Sequence, residues 1–172
     1  MLTTALLTAS DLPGQFVDAG TPGGVGDSTI TGCPTLSSDP TGATATASVA
    51  LSDATGSGLS VTEVLMQFPA ASATQAMASF AALSTTCPTY VANLPGISVT
   101  FTSAPLAIPS LGDASTATRM TGPVPGGTIY EDVVAIRHEN TMVFIIETGL
   151  ATDTDLTTAA AQAALARVAA RW

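Results

Sequence analysis

VLMQFPAASATQAMASFAALSTTCP, residues 64–88, decides the fold class. Its opening residues alternate as a strand does, Pro69 interrupts, and Ala70–Pro88 then changes to helical spacing. Ala73, Ala76, Met77, Phe80 and Cys87 share one face of that helix, with Ser72, Thr74, Ser79 and Thr86 mostly elsewhere. A strand feeding an amphipathic helix that delivers a cysteine to the core implies a mixed domain in which this helix packs on a sheet.

Strands lie on both sides of it. Ala45, Ala47, Val49 and Leu51 alternate with Thr44, Thr46, Ser48 and Ala50, and Val64, Met66 and Phe68 alternate with Glu63, Leu65 and Gln67. DATGSG, residues 53–58, is hairpin material between them. Ile97, Val99 and Phe101 point one way while Ser98, Thr100 and Thr102 point the other, giving the clearest half-buried strand. Residues 103–112 read as an irregular connection and Ala114–Thr121 as a weak strand. Tyr130–Arg137 and Thr141–Thr148 form a hairpin around Glu139 and Asn140, with Asn140 expected to supply the left-handed residue. MVFII, residues 142–146, is apolar on both faces and belongs at the centre of a sheet covered on both sides.

Two other segments complete the outline. Leu2 and Leu6, four apart, suggest a short opening helix, and residues 18–42 read as a loop punctuated by glycine and proline. Asp155–Trp172 is a second main helix, with Ala161, Leu165, Val168 and Trp172 on one stripe. Asp153 and Asp155 stand at its start and Arg167 and Arg171 at its end, complementing the helix dipole. The expected fold is therefore α+β: one domain over 1–172, a twisted antiparallel sheet of about six strands packed by two main helices.

The composition excludes several partners. Thirteen acidic residues against four arginines and no lysine give a net charge of −9, so nucleic acid and anionic membrane surfaces are disfavoured. No uncharged stretch is continuously apolar for the roughly 20 residues that a membrane span needs. A membrane would be reached only through a lipid anchor or helix outside this chain. The opening MLTTALLTAS lacks the basic region of a secretory signal, and the composition favours an exported chain whose signal was removed, with Met1 an added start. Cys33 and Cys87, each followed by proline, suit a disulfide, which in the chain-entropy model would contribute about 4 kcal/mol. The alternative is two buried thiols.

No catalytic kit is visible. His138 is the only histidine and abuts a turn, there is no G-x-S-x-G elbow, and without lysine neither S-x-x-K nor a P-loop can be built. Gly20, Gly23, Gly24 and Gly26 follow no strand and open no helix, so they read as loop rather than phosphate cradle. Asp153 and Asp155 lack the rest of a calcium loop, and no metal or cofactor is expected. Tyr130, Glu131 and Asp132 form a polar cluster at a strand start whose ordinary reading is an exposed strand end.

The order of landmarks resembles the PknH-like extracellular sensor domains and related exported lipoproteins of actinobacteria. The matching stretches are LLTASDLPGQF at 6–16, GCP at Cys33, the 64–88 segment, LGDASTATRM at 111–120, VVAIRHENTMVFIIE at 133–147 and the closing alanine-rich helix. The resemblance implies an antiparallel sheet with two main helices, a ligand cleft, an extracellular or cell-envelope location and no catalytic residues. It also implies two disulfides in kinase-linked members, where two cysteines here allow one. The leading expectation is thus a non-enzymatic, monomeric sensor domain binding a small or apolar ligand, or an envelope partner, between sheet and helix. Met77, Phe80 and Tyr130 are the candidate walls of that cleft. A structural interaction module with a flat apolar patch is the second reading, and a hydrolase with paired carboxylates the third.

Overall fold

Period-two alternation recurs through most of the chain, and in the computed structural model, which describes residues 2–20, 29–33, 42–94 and 96–171, it becomes a single antiparallel sheet. Its nine strands are β1 (Phe16–Gly20), β2 (Thr29–Thr31), β3 (Ala45–Asp53), β4 (Ser60–Gln67), β5 (Thr89–Leu94), β6 (Ile97–Pro105), β7 (Ala114–Val124), β8 (Gly127–His138) and β9 (Thr141–Gly149). They lie in the order β1-β3-β4-β9-β8-β7-β6-β5-β2. The sheet thus has nine strands rather than about six. β1, β2 and β5 are the additions: two are short edge strands within or beside the glycine-rich segment, and β5 is a six-residue strand squeezed between Pro88 and Pro95. The rest of that segment, with Gly23, Gly24 and Gly26, and Trp172 lie outside the described residues.

MVFII takes the expected place. β9 pairs with β4 and β8, and Met142, Val143, Phe144 and Ile145 are all buried. Helices lie on both sides of it. The first, α1 (Ala70–Ala81), restarts at Ala82 as the single turn α2 (Leu83–Thr86), so Leu83 and Cys87 both turn inward. α1 covers Ala135, Met142 and Phe144. The long helix α3 (Thr154–Ala169) covers the opposite face, packing Leu156, Ala160, Ala161, Ala164 and Val168 on Val134, Ile136, Val143 and Ile145. Alternation of side chains along each strand assigns every residue to one of these faces.

The alternation read in β4 holds, but the set carrying Glu63 is the more deeply buried. In β4 the inward residues on the α3 side are Val61, Glu63 and Leu65, all fully buried, while Val64 and Met66 are only partly covered. The opening residues also differ: two 3-10 turns, Leu2–Thr4 and Ala9–Asp11, replace a helix, and Leu2, Ala5, Leu7 and Leu12 face inward on the α3 side.

The β8–β9 turn shows why LGD stands at 111–113. The left-handed residue is Glu139, at φ 51°, not Asn140. Its N–H donates to Asp113 Oδ2 at 2.7 Å, which fixes a conformation that glutamate seldom adopts. Gly112 sits at φ +60° against the Arg137 carbonyl, where a Cβ would come within 2.5 Å of that oxygen. Glycine is required there for close approach as much as for its dihedral.

Candidate functional site

The proposed cleft walls are divided between the two faces of the sheet. Met77 is buried beside Phe68, Ala135 and Met142, and Phe80 packs its ring 4.7 Å from that of Phe144. Both serve the core under α1. Tyr130, half-buried, lies on the other face, where alternation places it with Asp132 beside the first turn of α3. Cys33 and Cys87 are joined, closing a separation of 54 residues beneath α2.

Around the first turn of α3 the sheet carries a buried polar network. Asp132 is 1 % exposed and receives Arg119 through two guanidinium nitrogens, Nε at 2.6 Å; the same Arg119 reaches Thr154 Oγ1 at 3.0 Å. Such a fork on a carboxylate is the strongest form of ion pair, and it keeps the guanidinium firmly protonated. Glu147 is 2 % exposed; its Oε1 accepts the Asp153 N–H at 3.0 Å and its Oε2 accepts the Thr157 hydroxyl. Burial still pushes the Glu147 carboxyl above its ordinary value. Asp153 in turn caps the helix by accepting the Leu156 N–H at 3.0 Å, as its place in the sequence predicts. Tyr130, Glu131 and Asp132, contiguous in sequence, are therefore split across the sheet: Asp132 joins this network, while Glu131 is half-buried on the α1 face, its carboxyl pushed up by burial.

Beside the network lies an open-sided hollow of about 710 Å³. Its floor is apolar, from Phe16, Leu59, Leu156 and Ala159, with Pro13 at one side. Its rim carries Asp53, Asp153 and Asp155. Hydroxyl and amide donors of Ser57 and Thr55 hold Asp53 ionised, bringing its carboxyl down to about 2. The arginines are engaged elsewhere: Arg119 with Asp132, Arg137 with Asp113 at 3.4 Å, Arg167 with Asp11 at 3.1 Å, and Arg171 with the Thr4 carbonyl at 3.2 Å. Anions are repelled from such a rim, and an uncharged or cationic molecule with an apolar part fits it. Sequence reasoning treated Asp153 and Asp155 as helix caps and could not join them to Pro13–Phe16 and Asp53–Leu59, which meet only in the folded chain.

A third buried carboxylate sits farther along the same face. Glu63 is fully buried, and its Oε2 accepts the Leu7 N–H at 2.6 Å. Oε1 has no partner. Among the described residues, no group of three or more His, Cys, Asp and Glu side chains could hold a metal ion. No described helix is long and apolar enough to cross a membrane.

With this geometry in hand, known proteins narrow the reading. No family model matches the sequence, and no curated protein matches it. Among solved structures the chain is similar to the extracellular domain of PknH from Mycobacterium tuberculosis, at 17% identity and a TM-score of 0.62, over 97% of this chain and 92% of that one. The chain has the PknH extracellular-domain fold.

Proposed function

We propose that this chain is a non-enzymatic extracellular sensor module that binds a small, partly apolar ligand in the hollow between the sheet edge and α3. The observation that carries this reading is the likeness to the PknH extracellular domain over nearly the whole of both chains. A disulfide between Cys33 and Cys87 supports an oxidising, extracellular setting. The hollow supplies an apolar floor with a few polar groups at its edge, the usual form of a small-molecule site. Location at a cell envelope, with or without a lipid anchor, belongs to the same proposal.

An interaction module would need a contiguous apolar patch. Among the described residues only Val17 and Leu150 are large, apolar and exposed, which favours the hollow over a flat surface. The test is amide chemical-shift mapping with three small probes of equal chain length: hexanol, hexylamine and hexanoate. The expected outcome is saturable shifts at Phe16, Leu59 and Leu156 with hexanol and hexylamine, and weaker ones with hexanoate. If none of the three produces saturable shifts at those residues, the hollow is not the binding site.

A further inference from the structure

Among the described residues, Glu63 is the one carboxylate that is both fully buried and half unsatisfied. It projects from β4 between Val61 and Leu65, into the cluster that Leu2, Ala5, Leu7 and Leu12 share with α3. Its single hydrogen bond comes from the Leu7 N–H at 2.6 Å, and Oε1 has none. Its cross-strand neighbours, Val49 on β3 and Ile145 on β9, are apolar. Two charged groups act on it: Arg167 from α3, which favours the ionised form, and Asp11 from the opening segment, which opposes it. Arg167 does not bond to it. That guanidinium turns its terminal nitrogen to Asp11 at 3.1 Å and leaves Nε buried without a partner. The cation that could have neutralised Glu63 is thus engaged by the opening segment itself.

We infer that residues Leu2–Leu12 are a pH-controlled strap: docking them takes up a proton on Glu63, and raising the pH releases them. Docked, the strap seals Glu63 from water and shields an apolar strip on β3, β4 and α3. Undocked, it opens Glu63 to solvent, where the carboxylate is stabilised by hydration and needs no proton. The Leu7 N–H bond survives in either ionisation state, since a protonated carboxyl still accepts through its carbonyl oxygen. What changes is the burial of a charge with one hydrogen bond and no bonded cation.

The electrostatics agree with the geometry. Burial, only partly offset by the Leu7 N–H and Arg167, raises the Glu63 carboxyl from its ordinary value near 4.5 to about 7. If the open strap restores the ordinary value, docking weakens by about 300-fold in all between about pH 3.5 and 8.5, of which about 30-fold falls between about pH 5.5 and 8.5. The strap runs directly into Pro13–Phe16, which wall the hollow, so its docking would also set the shape of that site. This last link rests on the binding-site reading above; the strap switch itself does not.

Hydrogen exchange at residue resolution tests the switch without any ligand. Rates for the Leu7 amide are measured on the full chain from about pH 5.5 to 8.5, each divided by its intrinsic rate at that pH. The expected result is a Leu7 protection factor that falls by about 30-fold across this range and that is lower than those of the β8 and β9 amides at every pH, as a local opening requires. In Glu63→Gln, a neutral side chain that keeps the acceptor for Leu7, the pH dependence at Leu7 should vanish. A parallel carboxyl-carbon NMR titration of Glu63 in the unmodified chain should have its midpoint where the decline of Leu7 protection levels off, a reading that does not depend on the variant folding. Protection of Leu7 that is flat with pH, or a fall that persists in Glu63→Gln or does not follow the Glu63 titration, overturns the proposal.

Discussion

On the α1 side of the sheet, the Phe80 and Phe144 rings pack 4.7 Å apart, Tyr90 stacks on Phe101 at 5.3 Å, and the Cys33–Cys87 disulfide closes the layer among them. On the α3 side, three carboxylates, Glu63, Asp132 and Glu147, are buried as deeply as the leucines around them. Asp132 and Glu147 have both oxygens occupied; Glu63 has one. One face is therefore held chiefly by apolar packing and a covalent link, whose strength hardly depends on pH, with Glu131 as a half-buried carboxyl beside them. The other fastens separately docked pieces, the first turn of α3 and the opening segment, with ionisable groups. Cohesion and adjustability have been assigned to opposite sides of one sheet.

The largest expected effect tests the covalent side. Replacing both cysteines by alanine removes a cross-link over 54 residues and should lower stability by about 4 kcal/mol, read from urea unfolding with and without reductant. If reductant alone leaves the midpoint unchanged, the disulfide does not hold that face. Next comes the pH response of the polar side. Glu63 has a folded value of about 7, above its unfolded one, so its contribution is complete below about pH 4.5 and is lost as pH rises through 7. The loss amounts to about 3 kcal/mol, with further losses of the same sign from Glu147 on this face and from Glu131 on the α1 face. Thr157→Val should cost about 2 kcal/mol, because it strands a buried Glu147 oxygen without its donor. Asp153→Ala should cost about 1 kcal/mol by uncapping α3, with amide exchange rising at Leu156 first.

Much of the apolar face was legible in the sequence, because its signals are local. The spacing of Ala73 and Met77, the alternation of Val99 and Phe101, and the unbroken MVFII run each need only a short window to be read. β5 carried a weaker signal, Tyr90 and Ala92 inward, in six residues between prolines. β1 and β2 are polar edge strands defined by their partners β3 and β5, and no periodicity marks them.

The polar face was harder to read, since its decisive contacts are distant in sequence. Glu63 lies between Val61 and Leu65 at period two, which was the available sign that it points inward. Nothing nearby shows that Leu7 and Asp11 close over it. The hollow likewise draws together Phe16 of β1, Leu59 of the β3–β4 connection and Leu156 of α3, far apart in sequence. Its acids, read singly, look like ordinary caps and turns, a role that Asp153 does also perform.

The contrast between the faces is tested most directly by measuring unfolding free energy against pH for the unmodified chain, Met77→Ala and Glu63→Gln. Met77→Ala should lower the whole curve by about 3 kcal/mol without changing its slope, since its loss is one of apolar packing. Glu63→Gln should flatten the decline between about pH 5 and 8, leaving only the shallower slope from the other raised carboxyls. Three curves of equal slope would contradict the account, because the pH dependence would then not reside in the carboxylate buried beneath the opening segment.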